Sequence, residues 1–299
     1  MSQSPVHLRP KAKRALNWDA KPPEKPRRVR RWAAGLGERL KAWRRRPALR
    51  QAALALCLLG CCYAMMPPES AATSVLATKR ILPVYSVERE DPVIAVTFDA
   101  SWGADNTPKL LDILDEYDAK CTFFLVGLWV DKYPEMVQAI AERGHEIGNH
   151  SDNHPHMTQL SDAKIREELR MMSDKVEKLT SVRPTLFRPP YGDYNNLVIQ
   201  TARDEGYEAV QWSVDSLDWK NISPEDMIRR AGDVQSGDII LFHNDSQYLL
   251  DALPTLLKSY QEKGLKMVKV SEILLEGETT IDVQGKQHPT AVQDTSKER

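Results

Sequence analysis

Cysteine is scarce in this chain and badly placed for cross-linking. Of four in 299 residues, Cys57, Cys61 and Cys62 share one apolar run and Cys121 stands alone further on. A body with a single thiol has no internal disulfide, so a disulfide-stapled fold is excluded. Cys121, inside the strand-like Cys121-Thr-Phe-Phe-Leu-Val126, reads as core packing. Acidic residues are nearly missing from the first 50 positions, which hold 16 Lys/Arg against 3 Asp/Glu, while the rest holds 25 against 39. That division describes a basic tail joined to an acidic body. The tail interleaves few aromatics and has no recognisable nucleic-acid fold, which argues against nucleic acid as a partner. No internal repeat is present, and the apolar share of 41% supports a sizeable core.

A long membrane-type run is also lacking. Ala52 to Met66 gives 15 uncharged residues, a length between a signal-peptide core and a full span. Arg44, Arg45, Arg46 and Arg50 precede it, so the positive-inside rule places the N-terminus in the cytosol and the body outside. The expected organisation is a basic, disordered cytoplasmic tail over 1–47 and a signal anchor over 48–66. A linker over 67–90, the folded body over 91–275 and a polar tail over 276–299 follow. The protein would then sit in the cell membrane as a single-pass protein with its body extracytoplasmic. Ser70-Ala-Ala72 as a cleavage site and Leu58-Leu-Gly-Cys61 as a lipoprotein-like box remain alternatives to an uncleaved anchor.

In the body, apolar runs alternate with helical patterns. Strands are expected near 92–98, 121–126, 145–149, 185–188, 208–214, 238–243 and 266–270. Nearly uniform apolarity in these runs indicates parallel strands buried on both faces, an α/β architecture of about seven strands. Between them, Ile165, Leu169, Met172, Val176 and Leu179 form one helical stripe behind a Ser161 N-cap, and Ser223-Pro-Glu-Asp226 starts another helix.

Polar residues recur where these strands end, the active face of α/β folds. His150 and His154 stand four apart in His150-Ser-Asp-Asn-His154, a spacing that on a helical turn brings two imidazoles to one ion and suits zinc or a similar divalent metal. The segment lacks the glutamate of a metalloprotease helix, so a base must come from elsewhere. Asp99, closing Val93-Ile-Ala-Val-Thr-Phe98, is the candidate. Arg188 would keep that carboxylate ionised and oriented. The turn Pro189-Pro190-Tyr191-Gly192 offers a backbone N–H to an oxyanion. His243 ends an apolar strand and serves as a general acid, with Asp218 or Asp215 to orient it.

Thr97-Phe-Asp99-Ala-Ser-Trp-Gly103, His150-Ser-Asp-Asn-His154, Arg188-Pro-Pro-Tyr191-Gly, Asp215-Ser-Leu-Asp218-Trp219 and Leu241-Phe-His243 together resemble the five ordered motifs of the polysaccharide deacetylases, the NodB-homology carbohydrate esterases. The resemblance covers roughly 90–275 and is nearest the sporulation-type peptidoglycan deacetylases of Gram-positive bacteria. It implies a deformed (β/α) barrel that removes N-acetyl groups from an envelope glycan with a divalent ion, zinc first and cobalt or manganese next. Carried over, Asp99 is the base, His150 and His154 the metal ligands, Arg188 the partner of the base and the Tyr191 amide the oxyanion donor. His243 is the acid, tuned by Asp218, and Pro190, Trp219 and Leu241 form the substrate pocket. The family's first motif normally reads Asp-Asp, with the second carboxylate a metal ligand, and here that position is Ala100. Asp152, Asp105 or waters are the substitutes to consider, and a glycan-binding pseudoenzyme is the alternative reading. Oligomeric state is not legible in the sequence.

Overall fold

The computed structural model describes Gln51, residues 55–58 and residues 80–290. The chain divides into a unit ending at Thr78 and a second beginning at Lys79. In the first, Gln51 and residues 55–58 are helical and exposed. The basic tail, most of the anchor and most of the linker lie outside the described residues. Among those described, no helix is long and apolar enough to cross a membrane.

The second unit begins with β1 (Ser86–Val87), β2 (Val93–Ala100), α1 (Thr107–Glu116), β3 (Thr122–Leu125), α2 (Gly127–Lys132), α3 (Pro134–Glu142) and β4 (Glu146–Asn149). It continues with α4 (Asp162–Thr180), β5 (Leu186–Phe187), α5 (Asn196–Asp204), β6 (Glu208–Ala209), β7 (Val214–Asp215), α6 (Pro224–Ala231) and β8 (Ile239–His243). Last come α7 (Leu249–Glu262), β9 (Lys266–Met267), α8 (Val270–Ile273), β10 (Thr279–Ile281) and β11 (Lys286–Pro289). The main sheet runs β6-β5-β4-β3-β2-β8-β7, with β9 also paired to β2, and every pairing in it is parallel.

Strand β2 organises the rest. All eight of its residues are buried, and a strand sends successive side chains to opposite faces. Ile94, Val96, Phe98 and Ala100 join the core that includes Leu110 and Leu114 of α1 and Leu253 and Leu257 of α7. Val93 and Ala95 belong to a second cluster with Val84, Phe124 and Ile239, inside the curl of the sheet. Each fully buried large apolar side chain here contributes roughly 1.5–3 kcal/mol. The period of two then sets Thr97 and Asp99 on the inner face and Ala100 on the helix-covered face. Register adds a second constraint, pairing Asp99 with His243 across β2 and β8.

Two expectations change. The run 208–214 is not one strand: β6 and β7 lie at opposite edges of the sheet, so residues 210–213 cross between the edges. Val84 supports that crossing, accepting from Gln211 N at 2.7 Å and donating to Ala209 O at 2.9 Å. The folded body also exceeds 91–275 at both ends. β1 pairs in parallel with β11, and β10 pairs antiparallel with it. This small sheet meets the barrel at Gly237, whose φ is +91° and whose added Cβ would lie 1.8 Å from Val87 O. Any side chain there would break the contact.

Candidate active site

One wall of the site is β2 and β8. Arg188, fully buried, follows β5 and reaches inward, a position costly for a guanidinium unless a counter-charge meets it. Its Nη1 donates to Asp99 Oδ1 at 2.7 Å and Thr97 Oγ1 at 2.9 Å, and its Nη2 to Gln211 O at 3.0 Å. The Phe124 ring lies 4.0 Å from its guanidinium carbon. Burial alone would raise the Asp99 pKa, but Arg188, with lesser help from His150 and His243, outweighs it and holds the carboxyl below its ordinary value. Asp99 is therefore an ionised acceptor, with Oδ1 engaged and Oδ2 3.5 Å from His150 Nε2.

His243, opposite, is held by a fully buried carboxylate. Asp218 Oδ2 accepts its backbone N–H and Asp218 Oδ1 its Nδ1–H, both at 2.7 Å. Burial would lower the imidazole pKa, but the bond to Asp218 and its charge prevail and raise it. With the proton on Nδ1 fixed by Asp218, Nε2 is the ring atom left free to exchange a proton.

The other wall is the segment after β4. It is not the helical turn that the four-residue spacing suggests. Ser151 at φ 67° and His154 at φ 56° are left-handed, and Ser151 Oγ accepts from His154 N at 2.9 Å. The tight turn brings the rings together all the same, with the two Nε2 atoms 3.3 Å apart. His150 Nδ1 donates to Arg188 O at 2.7 Å, which makes Nε2 the lone-pair nitrogen and turns it toward His154 Nε2. Burial lowers the pKa of both imidazoles, that of His154 to about 3 with further help from His150. Both are neutral donors at physiological pH.

This pair fits a divalent ion as two of its ligands. Metal–nitrogen bonds of about 2.0–2.1 Å in a tetrahedron separate neighbouring nitrogens by about 3.3–3.4 Å, and the rings stand at that separation. A third protein ligand is not supplied where the family places it, since Ala100 is fully buried in the core under the helices. Neither substitute serves. Asp152 is buried with Oδ1 on Lys175 Nζ at 2.5 Å, and Asp105 is exposed and outside the cleft wall. Asp99 Oδ2 stands 3.5 Å from His150 Nε2. Among the described residues, no set of three His, Cys, Asp or Glu forms a complete metal cage.

Between the walls lies a cleft of about 730 Å³. Asp99, His150, His154, Tyr191, Trp219, Leu241 and His243 all line it. Asp218 and Arg188 stand behind it, bonded to His243 and Asp99. Pro190, expected in the pocket, is buried and absent from the wall, because the turn presents Tyr191 instead. Tyr191 adopts φ 60°, a left-handed conformation that costs a non-glycine residue about 1–2 kcal/mol. It is flanked by His154 and His156, each ring centroid 4.4 Å from its own. Arg188, Gly192 and Asp193 donate their N–H groups to Asn149, Pro189 and Pro190, and prolines have none. Tyr191 N–H is the donor the turn leaves over. Sequence reasoning assigned no role to Thr97, Trp102, Trp212, Asn244 or Asp245. Thr97 and Trp102 were visible inside the first motif, whereas the other three were singled out by no motif.

Residues 86–210 match the polysaccharide deacetylase family. Over 196 residues the chain is 37% identical to a peptidoglycan-N-acetylglucosamine deacetylase of Bacillus cereus, covering 64% of this chain and 92% of the relative. This chain belongs to the polysaccharide deacetylase family. Within the family it is also 33% identical over 193 residues to YlxY of Bacillus subtilis, an uncharacterized protein, covering 64% of this chain and 60% of that one. The chain thus spans about three fifths of that relative's length. Among solved structures, a CE4 family pseudoenzyme from Bacillus anthracis is similar with a TM-score of 0.62 and 32% identity, covering 65% of this chain and 69% of that one. A mutant CE4 family pseudoenzyme with restored enzymatic activity matches with the same TM-score and 33% identity, covering 65% of this chain and 71% of that one.

Proposed function

We propose that this family member hydrolyses N-acetyl groups of an envelope glycan, peptidoglycan or another N-acetylglucosamine polymer, outside the cytoplasmic membrane to which its N-terminal segment anchors it. The observation that carries the reading is the register of β2 and β8, which faces an ionised Asp99 with a His243 held by Asp218 in one cleft. An ion held by His150 and His154, zinc first among candidates, would polarise the amide carbonyl and lower the pKa of water from 15.7 to about 7.

The chain's own groups do the rest. Asp99 Oδ2 takes the proton of the attacking water, while Arg188 keeps Oδ1 fixed and the carboxylate charged. The Tyr191 N–H donates to the carbonyl oxygen as it becomes an oxyanion. His243 Nε2–H gives its proton to the leaving nitrogen, and the carbon–nitrogen bond breaks to acetate and a free amine. Trp219 and Leu241 offer apolar surface to the acetyl group and sugar.

A second reading rests on one observation, the alanine at position 100. Without the family's second carboxylate the cleft would bind glycan and not turn it over. The full-length protein, supplied in turn with zinc, cobalt and manganese, should release acetate from N-acetylglucosamine tetramer or peptidoglycan fragments. Binding without acetate release under all three metals would establish the second reading instead.

A further inference from the structure

Two residues beyond His243, the cleft wall carries a carboxylate that the chemistry above does not use. Asp245 is exposed, lines the cleft, and has no hydrogen bond or ion pair among the described residues. It lies against Gly103: a Cβ built there would be 2.1 Å from Asp245 Oδ2, so the carboxylate rests on the bare backbone beside Trp102. That backbone is itself pinned. Gly103 O accepts from Trp129 Nε1 and Asn244 Nδ2, each at 2.9 Å, and Asn106 Nδ2 donates to Ser246 O at 3.0 Å. The loop bearing Trp102 and the loop bearing Asp245 therefore move as one piece.

No other charged side chain pairs with it among the described residues. No lysine or arginine is part of the cleft wall. Lys220 lies over the Trp219 ring at 4.8 Å, and Arg230 donates to the Asp215 backbone carbonyl at 3.3 Å. Asp215, the other carboxylate in the wall outside the acid–base pair, accepts from Leu217 N and has that arginine beside it. Asp245 has neither. Trp102, 75% exposed, supplies next to it the flat apolar face on which a sugar ring can rest.

We propose that Asp245 is a charge filter at the mouth of the cleft. It admits glycan whose sugar beside the one being hydrolysed is neutral or carries a free amine, and it disfavours a neighbour bearing a carboxylate, such as the lactyl ether of N-acetylmuramic acid. This rests on the proposed function and narrows its substrate. A charge on the adjoining sugar falls within the Debye length of about 8 Å at physiological salt, so the selection is only partly screened. An amine already exposed on a neighbouring sugar strengthens binding, and deacetylation favours further deacetylation nearby.

The test compares three tetrasaccharides with the full-length protein: N-acetylglucosamine tetramer, the same tetramer with one free amine, and alternating N-acetylglucosamine and N-acetylmuramic acid without peptide. Kd by calorimetry and kcat/KM for acetate release are measured for wild type, Asp245→Asn and Asp245→Lys. Wild type should favour the neutral tetramer over the muramyl one by about tenfold, the scale of one like charge at short range in a partly screened medium. Asp245→Asn should bring the two within about threefold, Asp245→Lys should reverse the order, and 0.5 M salt should shrink the wild-type ratio. A ratio that neither variant moves, a wild-type preference for the muramyl tetramer, or no binding to any of the three overturns the filter. Absence of acetate from every substrate overturns the proposed hydrolysis, while the Kd ratios still decide the filter.

Discussion

The two walls of the cleft differ in how far the protein itself completes them. On the Asp99–His243 wall both oxygens of Asp218 are taken by His243, and Asp99 Oδ1 is taken by a buried guanidinium. On the His150–His154 wall His150 is anchored through Nδ1, but His154 Nδ1 is buried with no hydrogen-bond partner. The first wall is organised as the proposed acid–base chemistry requires, with charges and dipoles set before a reactant arrives. The second relies on a strained turn and on one anchored ring. In the proposed function, catalytic geometry and metal affinity are thus separable properties, and position 100 bears on the second.

The largest expected effect breaks the first wall. Arg188→Met leaves Asp99 a buried carboxylate without its counter-charge, a change that costs about 3–5 kcal/mol, read in urea melts at pH 7. Because the folded pKa of Asp99 is depressed, its stabilising contribution is present above the unfolded carboxylate value and is lost as pH falls through the folded one. The variant should therefore lose less stability than wild type on acidification. A loss under about 1 kcal/mol, the range of an exposed pair, would mean that the pair is not effectively buried.

On the second wall the two histidines should be unequal. His150 has the outer partner that orients a ligand, and such partners are worth about 10–100-fold in affinity. His150→Ala should accordingly weaken zinc binding in calorimetry more than His154→Ala does, by about tenfold. Equal losses would remove the distinction drawn between the rings.

A smaller effect concerns pH. His243 has a raised folded pKa, so its stabilising contribution is full below the unfolded value of about 6.5 and is lost as pH rises through the folded one. In the proposed mechanism, the protonated acid needed for turnover disappears over the same interval. Asp218→Asn removes the larger opposing influence, and the alkaline limb of the kcat profile should move to lower pH. A limb that stays in place would assign it to another group.

Much of this was legible in the sequence, for identifiable reasons. β2, β3 and β8 are read directly because burial on both faces makes them uniformly apolar, and the residues that end them fall on one rim. The two-residue strands β5, β6, β7 and β9 carry too little pattern to be bounded, and 208–214 read as one strand because its apolar residues bridge two sheet edges. β10 and β11 were missed because Thr279–Ile281 and Lys286–Pro289 pair through backbone while Ile281 is their one aliphatic side chain and Gln287 their one buried residue. In the site, Asp99, Arg188, Asp218 and His243 kept their expected places. The histidine turn did not keep its expected helical form, since left-handed Ser151 and His154 leave no mark in residue type. The outward face of Ala100 and the loop contact of Asp245 are products of strand parity and long-range packing.

The most direct measurement of the central claim, that this cleft holds a working acid–base pair beside a separate metal-binding pair, combines zinc calorimetry and acetate release for wild type and Asp99→Asn. Asp99→Asn should retain zinc binding within a few fold while acetate release falls by about 100-fold or more, as loss of a general base does. Full acetate release by Asp99→Asn, or loss of zinc binding in step with activity, would contradict it.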